Sequence, residues 1–362
     1  MTMLGKELKK FKFGFCLFVL TSFNFLFSLT IGSDLVPSRQ GIVEFSGEGN
    51  KMLGFAVFEN GFSFQDSSTT CSYDALFLVS GAVNMRHGSL FLFTDLFFDE
   101  GLNLISLGNI YGGADNYKVD FPTTVTAVTS GDGGSVIFDT VSTILHSDIA
   151  WQLPVTFRGE SKIDGSGHEV SLEENGGILV DSGGSLTVEN LILRGFNGNT
   201  FSCVDDTAKI FLKNCFLCLD HDFTFENGSL LFYNNVVISG TNQFNYTSIV
   251  TSTIESKSTL KITDDAIFRY APTTNNRDLI YMTDETSCLH LNCCTLRSTE
   301  TGLRLINGKI FIENNVTFSC DGGTVSESIC FGNGIESNDV EIVVLSGAEL
   351  NVYGGLHYDN VG

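Results

Sequence analysis

The sequence predicts an all-β protein in which short strands stack as the coils of a solenoid. The 362 residues include 32 phenylalanines, 38 glycines and four prolines, and aromatic residues suit a pleated, half-buried surface that glycine interrupts at turns. A short phrase also recurs, because GSLLFYNN at 228–235 returns as GKIFIENN at 308–315. With 43% hydrophobic residues, the chain is able to bury a large core.

Seven units of the sequence share one pattern, in which two alternating apolar residues precede a turn residue and a second short apolar run. Their last residues stand 24, 20, 30, 29, 21 and 40 positions apart. Alternate residues of a strand point to the same side, so stacked units would form a continuous interior. Strand repeats of this length are typical of solenoids, in which one repeat forms one coil. The units are LTVEN at 186–190, IFLKN at 210–214, LLFYN at 230–234, LKITD at 260–264, LHLNC at 289–293, IFIEN at 310–314 and LNVYG at 350–354.

The turn residues of these units indicate one corner that is repeated in every coil. A sharp bend between strands often needs a left-handed backbone, which Asn, Asp and Gly adopt more easily than other residues. Six of the seven positions obey that rule, and the remaining one is a cysteine. We expect the seven to form a ladder along one edge, spaced about 4.8 Å per coil. The predicted turn ladder comprises Asn190, Asn214, Asn234, Asp264, Cys293, Asn314 and Gly354.

The regularity of the pattern divides the exported part of the chain into two predicted regions. Residues 151–362 carry the repeats and form the predicted solenoid. Residues 33–150 are β-rich but less regular: GSLFLFTDLFF at 88–98 fits the pattern with one extra residue, whereas 111–135 reads as turns and short strands. The sequence therefore predicts an N-terminal cap with irregular coils over 33–150.

Residues 1–32 are predicted to be a secretory signal sequence. Four lysines at positions 6 to 12 precede an apolar run over 13–29, and small or polar residues follow it, which is the order of a signal peptide. The apolar run is long for a cleaved signal and short for a membrane-spanning helix of about 20 residues. An uncleaved membrane anchor is therefore the alternative.

The charge of the chain argues against nucleic acid as a partner. The formal net charge is −22, and removal of residues 1–32, with four lysines and one glutamate, makes it −25. Such a surface repels phosphate backbones and anionic lipid head groups. We interpret the acidity as a means of keeping an exported, phenylalanine-rich protein soluble rather than as an acidic binding face.

Nine cysteines follow the predicted signal sequence, at positions 71, 203, 215, 218, 288, 293, 294, 320 and 330. Export permits disulfides, and an odd count leaves at least one thiol free or available to another chain. The alternative, which we prefer, is that most of them are small buried apolar residues. Cys215 and Cys218 lie within an apolar run, without the βαβ context of a redox motif or the second pair that a zinc site needs.

The repeats resemble those of a known class of proteins. The stacked aliphatic positions and the asparagine corners resemble a right-handed parallel β-helix of the pectin-lyase-like kind. The phrases FNGN at 196–199, FLKN at 211–214, FYNN at 232–235 and FIEN at 311–314, with GGIL at 176–179, resemble the FxxN and GGA[ILV] repeats of polymorphic outer-membrane proteins, which are autotransporter-type surface proteins. The resemblance implies an exported surface protein. It also implies a C-terminal membrane barrel, which this sequence lacks, so we expect either a fragment or a last coil that another protein covers.

Three pairs of aspartates are candidates for polysaccharide cleavage, because β-helix lyases and hydrolases use clustered carboxylates. The third pair resembles the paired aspartates of polygalacturonases, but the Gly-His-Gly and Arg-x-Lys triplets that accompany them do not occur here. No metal-binding or phosphate-binding motif occurs either. The sequence therefore predicts no catalytic, cofactor-binding or metal-binding residue and no cofactor. The pairs are Asp205 and Asp206, Asp220 and Asp222, and Asp264 and Asp265.

These observations predict an exported, non-enzymatic β-helix protein of the cell surface or outer membrane, acting as an adhesin or as a structural component of the envelope. The expected partners are host-surface proteins, envelope proteins or glycans. Contact with a membrane is expected only through the N-terminal signal or a missing C-terminal anchor. The alternative is a polysaccharide lyase or glycoside hydrolase acting on acidic polysaccharide, and a third possibility is a carbohydrate-binding module on the same scaffold.

Overall fold

The structure, a computed structural model, describes ten short strands between residues 29 and 98. It then describes residues 104–112, 117–130, 136–198, 200–322, 324, 327–335 and 340–359. Most of the predicted signal sequence lies outside the described residues. No helix among the described residues has the length and apolar character needed to cross a membrane.

The predicted all-β solenoid is confirmed, because parallel sheets stack as about ten turns and the described residues contain no α-helix. In the N-terminal and central coils, three parallel sheets form the sides of the stack, and we call them A, B and C. In such a stack the remainder of each coil serves as the connection between neighbouring parallel strands.

Sheets A and B are continuous from the N-terminal strands onward. Sheet A contains β1 (Leu29–Ile31), β3 (Gly49–Leu53), β6 (Thr69–Tyr73), β9 (Ser89–Leu92), β12 (Asn109–Tyr111), β15 (Val136–Asp139), β18 (Pro154–Arg158), β21 (Gly177–Val180) and β24 (Phe201–Cys203). Sheet B contains β4 (Ala56–Phe58), β7 (Phe77–Val79), β10 (Leu96–Phe98), β13 (Lys118–Phe121), β16 (Ser142–Leu145), β19 (Glu160–Asp164), β22 (Ser185–Glu189), β25 (Lys209–Lys213), β28 (Ser229–Tyr233), β31 (Ser252–Ile254) and β34 (Ile280–Met282).

Sheet C runs along the third side of the stack. It contains β2 (Val43–Phe45), β5 (Gly61–Phe64), β8 (Ala82–Asn84), β11 (Leu104–Leu107), β14 (Ala127–Ser130), β17 (Ile149–Gln152), β20 (Glu169–Leu172), β23 (Ile192–Arg194), β26 (Phe216–Cys218), β29 (Asn235–Ser239), β32 (Thr259–Thr263), β35 (Cys288–Ser298), β37 (Lys309–Cys320) and β39 (Glu341–Val344). Every pairing within it is parallel.

Two further sheets replace A and B in the C-terminal coils. Sheet D follows sheet A in chain order and contains β27 (Phe223–Phe225), β30 (Gln243–Tyr246), β33 (Ile267–Tyr270), the second halves of β35 and β37, and β40 (Glu349–Tyr353). Sheet E follows sheet B and contains β36 (Leu303–Leu305), β38 (Ile329–Phe331) and β41 (Leu356–Tyr358). The long strands β35 and β37 bend at the corner and belong to both C and D.

The parallel pairing crosses residue 151, where the sequence pattern places the start of the regular repeats. Strand β15 pairs with β18, β16 pairs with β19, and β14 pairs with β17. The described coils therefore extend on the N-terminal side of that position. The loops there are less regular in sequence, which is why the repeat pattern does not reveal them.

The interior is a column of stacked apolar side chains, as the period-two alternation predicts. Leu186 stacks on Ile210 and Ile210 on Leu230, and all three are at most 1% exposed. Sheet D adds an aromatic column, in which Phe244 lies between Phe223 and Phe268. This continuous column explains why a single coil could not bury its apolar face alone.

In the last described coil the inward positions are only partly covered, although they are in register with the buried Val316 and Phe318. The unit at 350–354 predicts that Leu350 and Val352 face the interior, but Leu350 is half-buried and Val352 is 41% exposed. Tyr353, Leu356 and Tyr358 are also exposed. Strand β40 pairs with β37 on one side only among the described strands, so these side chains have no neighbouring described coil to pack against.

Candidate functional site

The seven predicted turn residues have the left-handed backbone expected at a sharp corner. Their φ angles run from 46° at Cys293 to 96° at Gly354. Asn and Asp tolerate this conformation because their short polar side chains hydrogen-bond locally, whereas Cys293 carries its steric cost without that advantage.

The structure brings these residues together in two rows rather than in one ladder. Asn190, Asn214 and Asn234 follow successive strands of sheet B, where the chain turns into sheet C. Asp264, Cys293 and Asn314 follow strands of sheet C, where the chain turns into sheet D. Gly354 belongs to neither row, because it follows a strand of sheet D and stacks beside Cys320. The seven residues, which we expected along a single edge, thus occupy three different corners of the coil.

Side-chain amides connect the coils in both rows. In the first row, Asn214 Nδ2 donates to Asn190 Oδ1 at 3.2 Å, and Asn190 Nδ2 donates to Asp164 Oδ1 at the same distance. In the second row, Asn314 Nδ2 donates to Asn292 Oδ1 at 2.7 Å. The corner residues therefore stabilise the stacking of coils.

Substitutions at Asn214 separate the two contributions of a corner asparagine. We expect Asn214→Ala to lower the free energy of unfolding by about 1–2 kcal/mol, because alanine is strained at a φ of 53° and lacks the amide. Asn214→Gly removes only the hydrogen bond and should cost less. Urea unfolding followed by circular dichroism measures both. Equal losses would contradict the steric explanation of the corner.

The first pair of candidate acids lies in a turn between sheets A and B, where it fastens one coil to the preceding one. Asp205 accepts hydrogen bonds from the hydroxyls of Ser182 and Thr207, and Thr207 Oγ1 accepts from the backbone N–H of Gly183 at 2.8 Å. The Ser182 and Thr207 hydrogen bonds lower the pKa of Asp205. The adjacent Asp206 is exposed.

The same clamp recurs at Asp284, which the sequence pattern does not single out. Asp284 accepts from the hydroxyls of Ser256 and Thr286, and Thr286 Oγ1 accepts from the backbone N–H of Lys257 at 2.7 Å. These hydrogen bonds lower the pKa of Asp284 to about 2, and the one from Ser256 has the largest effect. The recurrence of Asp-x-Thr against a turn of the preceding coil identifies both aspartates as part of the scaffold.

The other two candidate pairs lie near the corner between sheets C and D. Asp220 accepts from the backbone N–H of Gly195 at 3.1 Å, and Asp222 accepts from that of Gln243 at 2.9 Å. Asp264 accepts from the hydroxyl of Ser239 at 2.5 Å. Among the described residues, no group of three or more His, Cys, Asp or Glu side chains is placed to hold a metal ion.

A cleft of about 440 Å³ lies on the outer face where sheet A ends. On the next coil the corresponding strand, β27, belongs to sheet D, and an isolated bridge joins its Phe223 to Gly198, which precedes β24. The cleft has a mostly apolar floor and one carboxylate, that of Glu226, beside the amide of Asn227. No sequence motif marks it, because its walls come from four successive coils. Its other lining residues include Pro154, Gly177, Leu179, Ser202 and Val204.

A second cluster missed by the sequence patterns lies on the outer face of sheet C. Glu313 Oε2 lies 2.9 Å from His290 Nε2 and 3.7 Å from Lys261 Nζ. Burial lowers the pKa of His290, and Lys261 lowers it further, while Glu313 acts in the opposite direction. The imidazole is therefore neutral at neutral pH. We interpret the cluster as a polar network that joins three coils.

The eight cysteines whose side chains the structure describes form no disulfide. Five of them are buried and three are half-buried, which fits their interpretation as small apolar residues. Burial raises the pKa of Cys203, Cys215 and Cys294 to about 12. Because the thiolate is the reactive form, these three thiols are poor nucleophiles.

The chain was compared with protein-family models, with curated proteins and with solved structures. No family model, no curated protein and no solved structure matches the chain. The parallel β-solenoid, a fold compatible with both adhesins and polysaccharide-active proteins, is thus established by strand pairing alone.

Proposed function

We propose that the chain is an exported, non-enzymatic β-solenoid of the cell surface, acting as an adhesin or as a structural component of the envelope. The observation that carries this proposal is that the candidate aspartates form hydrogen bonds between coils. In each pair at least one aspartate accepts a hydrogen bond from the preceding or following coil. The acids thereby stabilise the stack, and long outer sheet faces remain for contact with partners.

A polysaccharide-active enzyme is the second candidate, and the cleft at the end of sheet A is the place where it would bind a sugar. The cleft volume lies in the range of ligand sites. Glycosidases use two carboxylates flanking the scissile bond, whereas Glu226 is the one acidic residue among the described residues that line the cleft. The cleft therefore fits the binding of a small ligand better than hydrolysis.

Fractionation, cell binding and activity assays distinguish the two candidates. We expect the full chain to fractionate with the cell envelope, and the purified chain to bind cells saturably. Incubation with polygalacturonate or alginate should release neither reducing ends nor unsaturated products. Glu226→Gln should leave cell binding unchanged. Product release that Glu226→Gln abolishes would replace the surface role by the enzymatic one, and a cytoplasmic location would exclude the surface role.

A further inference from the structure

Most cations on the described surface are neutralised by a carboxylate, usually on a neighbouring coil. Seven such pairs link strands or turns of the stack, and they make the outer faces close to neutral at those places. They are Arg158 with Asp181, Lys162 with Glu189, Arg194 with Glu169, Lys261 with Glu313, Arg297 with Asp321, Arg304 with Asp278 and Lys309 with Glu341.

Strand β25 departs from this rule. Its outward residues are Lys209, Phe211 and Lys213, while Ile210 and Leu212 face the core. Neither lysine forms an ion pair with any described residue. Two lysines four residues apart on a strand have Cα atoms about 13 Å apart, with the phenylalanine between them.

The next coil adds apolar and aromatic surface beside these lysines. In register, Leu231 lies next to Phe211 and Tyr233 next to Lys213. The Phe211 and Tyr233 rings are 6.2 Å apart, and Lys213 Nζ lies 5.5 Å from the centre of the Tyr233 ring. We call these five residues the β25–β28 patch: Lys209, Phe211, Lys213, Leu231 and Tyr233.

No acidic residue on either strand of the patch offsets its charge. Strands β25 and β28 contain no Asp or Glu. On the preceding coil, Ser185 lies opposite Lys209, and Glu189 lies opposite Lys213. The Glu189 carboxylate already binds Lys162.

On the following coil, Glu255 lies beside Tyr233 and accepts a hydrogen bond from Thr253 Oγ1 at 2.6 Å. Burial and, after it, Glu255 raise the pKa of Tyr233. The two patch lysines thus lie outside the described ion pairs, between Glu189 and Glu255, which have partners of their own, on a chain whose net charge is −22.

We propose that the β25–β28 patch binds a sugar chain that carries sulfate or phosphate groups. Lysine ammonium groups are compact point charges that suit such oxyanions, and the rings offer flat apolar surface to the C–H face of a sugar. The spacing of the two lysines fits a polymer with several charges better than a single small anion. This inference names the partner class of the surface role proposed above and rests on that role.

Binding of the full chain to immobilised heparin, to phosphomannan and to neutral dextran tests the proposal. We expect binding to heparin, phosphomannan or both, weakening as salt increases, and none to dextran. The two probes separate sulfate from phosphate as the recognised group. Polygalacturonate serves as the carboxylated comparison, and binding to it as tight as to both other probes would overturn the assignment to sulfate or phosphate.

Variants locate the binding on the patch. Lys209→Gln and Lys213→Gln should each weaken binding several-fold, and the double variant at least tenfold. Lys257→Gln is the matched control, since Lys257 is an exposed turn lysine outside the described ion pairs, and its affinity should equal that of the wild type. Tyr233→Leu, which keeps apolar bulk without the ring, should also weaken binding several-fold.

Two further outcomes would overturn the proposal. One is an absence of binding to both heparin and phosphomannan, and the other is a double variant that binds like the wild type. Circular dichroism and melting temperature verify that each variant remains folded. Cell binding tests the surface role separately. If the Lys209→Gln, Lys213→Gln double variant still binds cells at full affinity, the assignment of the patch is wrong while the surface role stands.

Discussion

Replacing Phe244 by alanine is expected to lower the free energy of unfolding by about 3–5 kcal/mol. Phe244 is 1% exposed and lies in the middle of the aromatic column of sheet D. Its ring centre is 5.2 Å from that of Phe223 and 5.3 Å from that of Phe268, the latter nearly coplanar at 9°. Alanine would leave a cavity between two coils that strand pairing holds at a fixed spacing, so the walls of the cavity collapse little.

Chemical unfolding followed by far-ultraviolet circular dichroism measures this loss. Phe311→Ala is the matched control, because Phe311 is a half-buried aromatic residue on the outer face of sheet C. That variant should lose less than about 1.5 kcal/mol, since it removes surface contacts without creating an internal cavity. Equal losses for the two variants would show that the column of sheet D is not a packed interior.

The inward positions of most coils could be predicted from the sequence. Alternation has a period of two within each strand, so it depends on no knowledge of neighbouring coils. Ile210 and Leu212, or Leu289 and Leu291, are accordingly buried as the pattern predicts. The exception, Val352, depends on the presence of a following coil rather than on its own strand.

The assignment of those strands to sheets could not be predicted from the same pattern. A corner after sheet B and a corner after sheet C both need a left-handed residue, so Asn234 and Asp264 look equivalent in the sequence. The register between coils also depends on turn length. Two residues separate Phe232 from Asn235, whereas four separate Ile254 from Thr259, although the structure pairs these positions directly.

The spacing of the units does contain a trace of this change of sheet. The steps of 24, 20, 29 and 21 residues connect corners of the same row, whereas the steps of 30 and 40 residues lead from one row to another corner. The longest step, from Asn314 to Gly354, includes one full coil and a further strand. Loop lengths vary by a similar amount. The spacing alone therefore does not show whether a long step reflects a longer loop or a move to another corner.

The surface features were less predictable than the fold. An ion pair such as Lys162 with Glu189 joins residues 27 positions apart, and it forms because β19 and β22 are in register. The lysines of β25 stand out only after such pairs are assigned. The cleft at Glu226 likewise follows from the end of sheet A, which no local sequence signal marks.

Gly195→Ala is expected to destabilise the stack by about 3 kcal/mol or more. Gly195 follows β23 with a φ of 77°, where any other residue bears the cost of a left-handed backbone. A Cβ atom at this position would lie 2.1 Å from the carbonyl oxygen of Leu172 on the preceding coil. The contact is with backbone, so relief requires the two coils to move apart, which weakens their parallel hydrogen bonds.

Gly183→Ala separates the contact between coils from the cost of the backbone angle. Gly183 has a similar φ of 66°, but a Cβ atom there would meet nothing within 4 Å. Its substitution should therefore cost only about 1 kcal/mol, the price of the left-handed conformation. Urea midpoints measured on the two variants under identical conditions give the difference directly. If Gly195→Ala lost no more stability than Gly183→Ala, the close approach of Gly195 to Leu172 would be wrong, and with it the spacing of the coils at that corner.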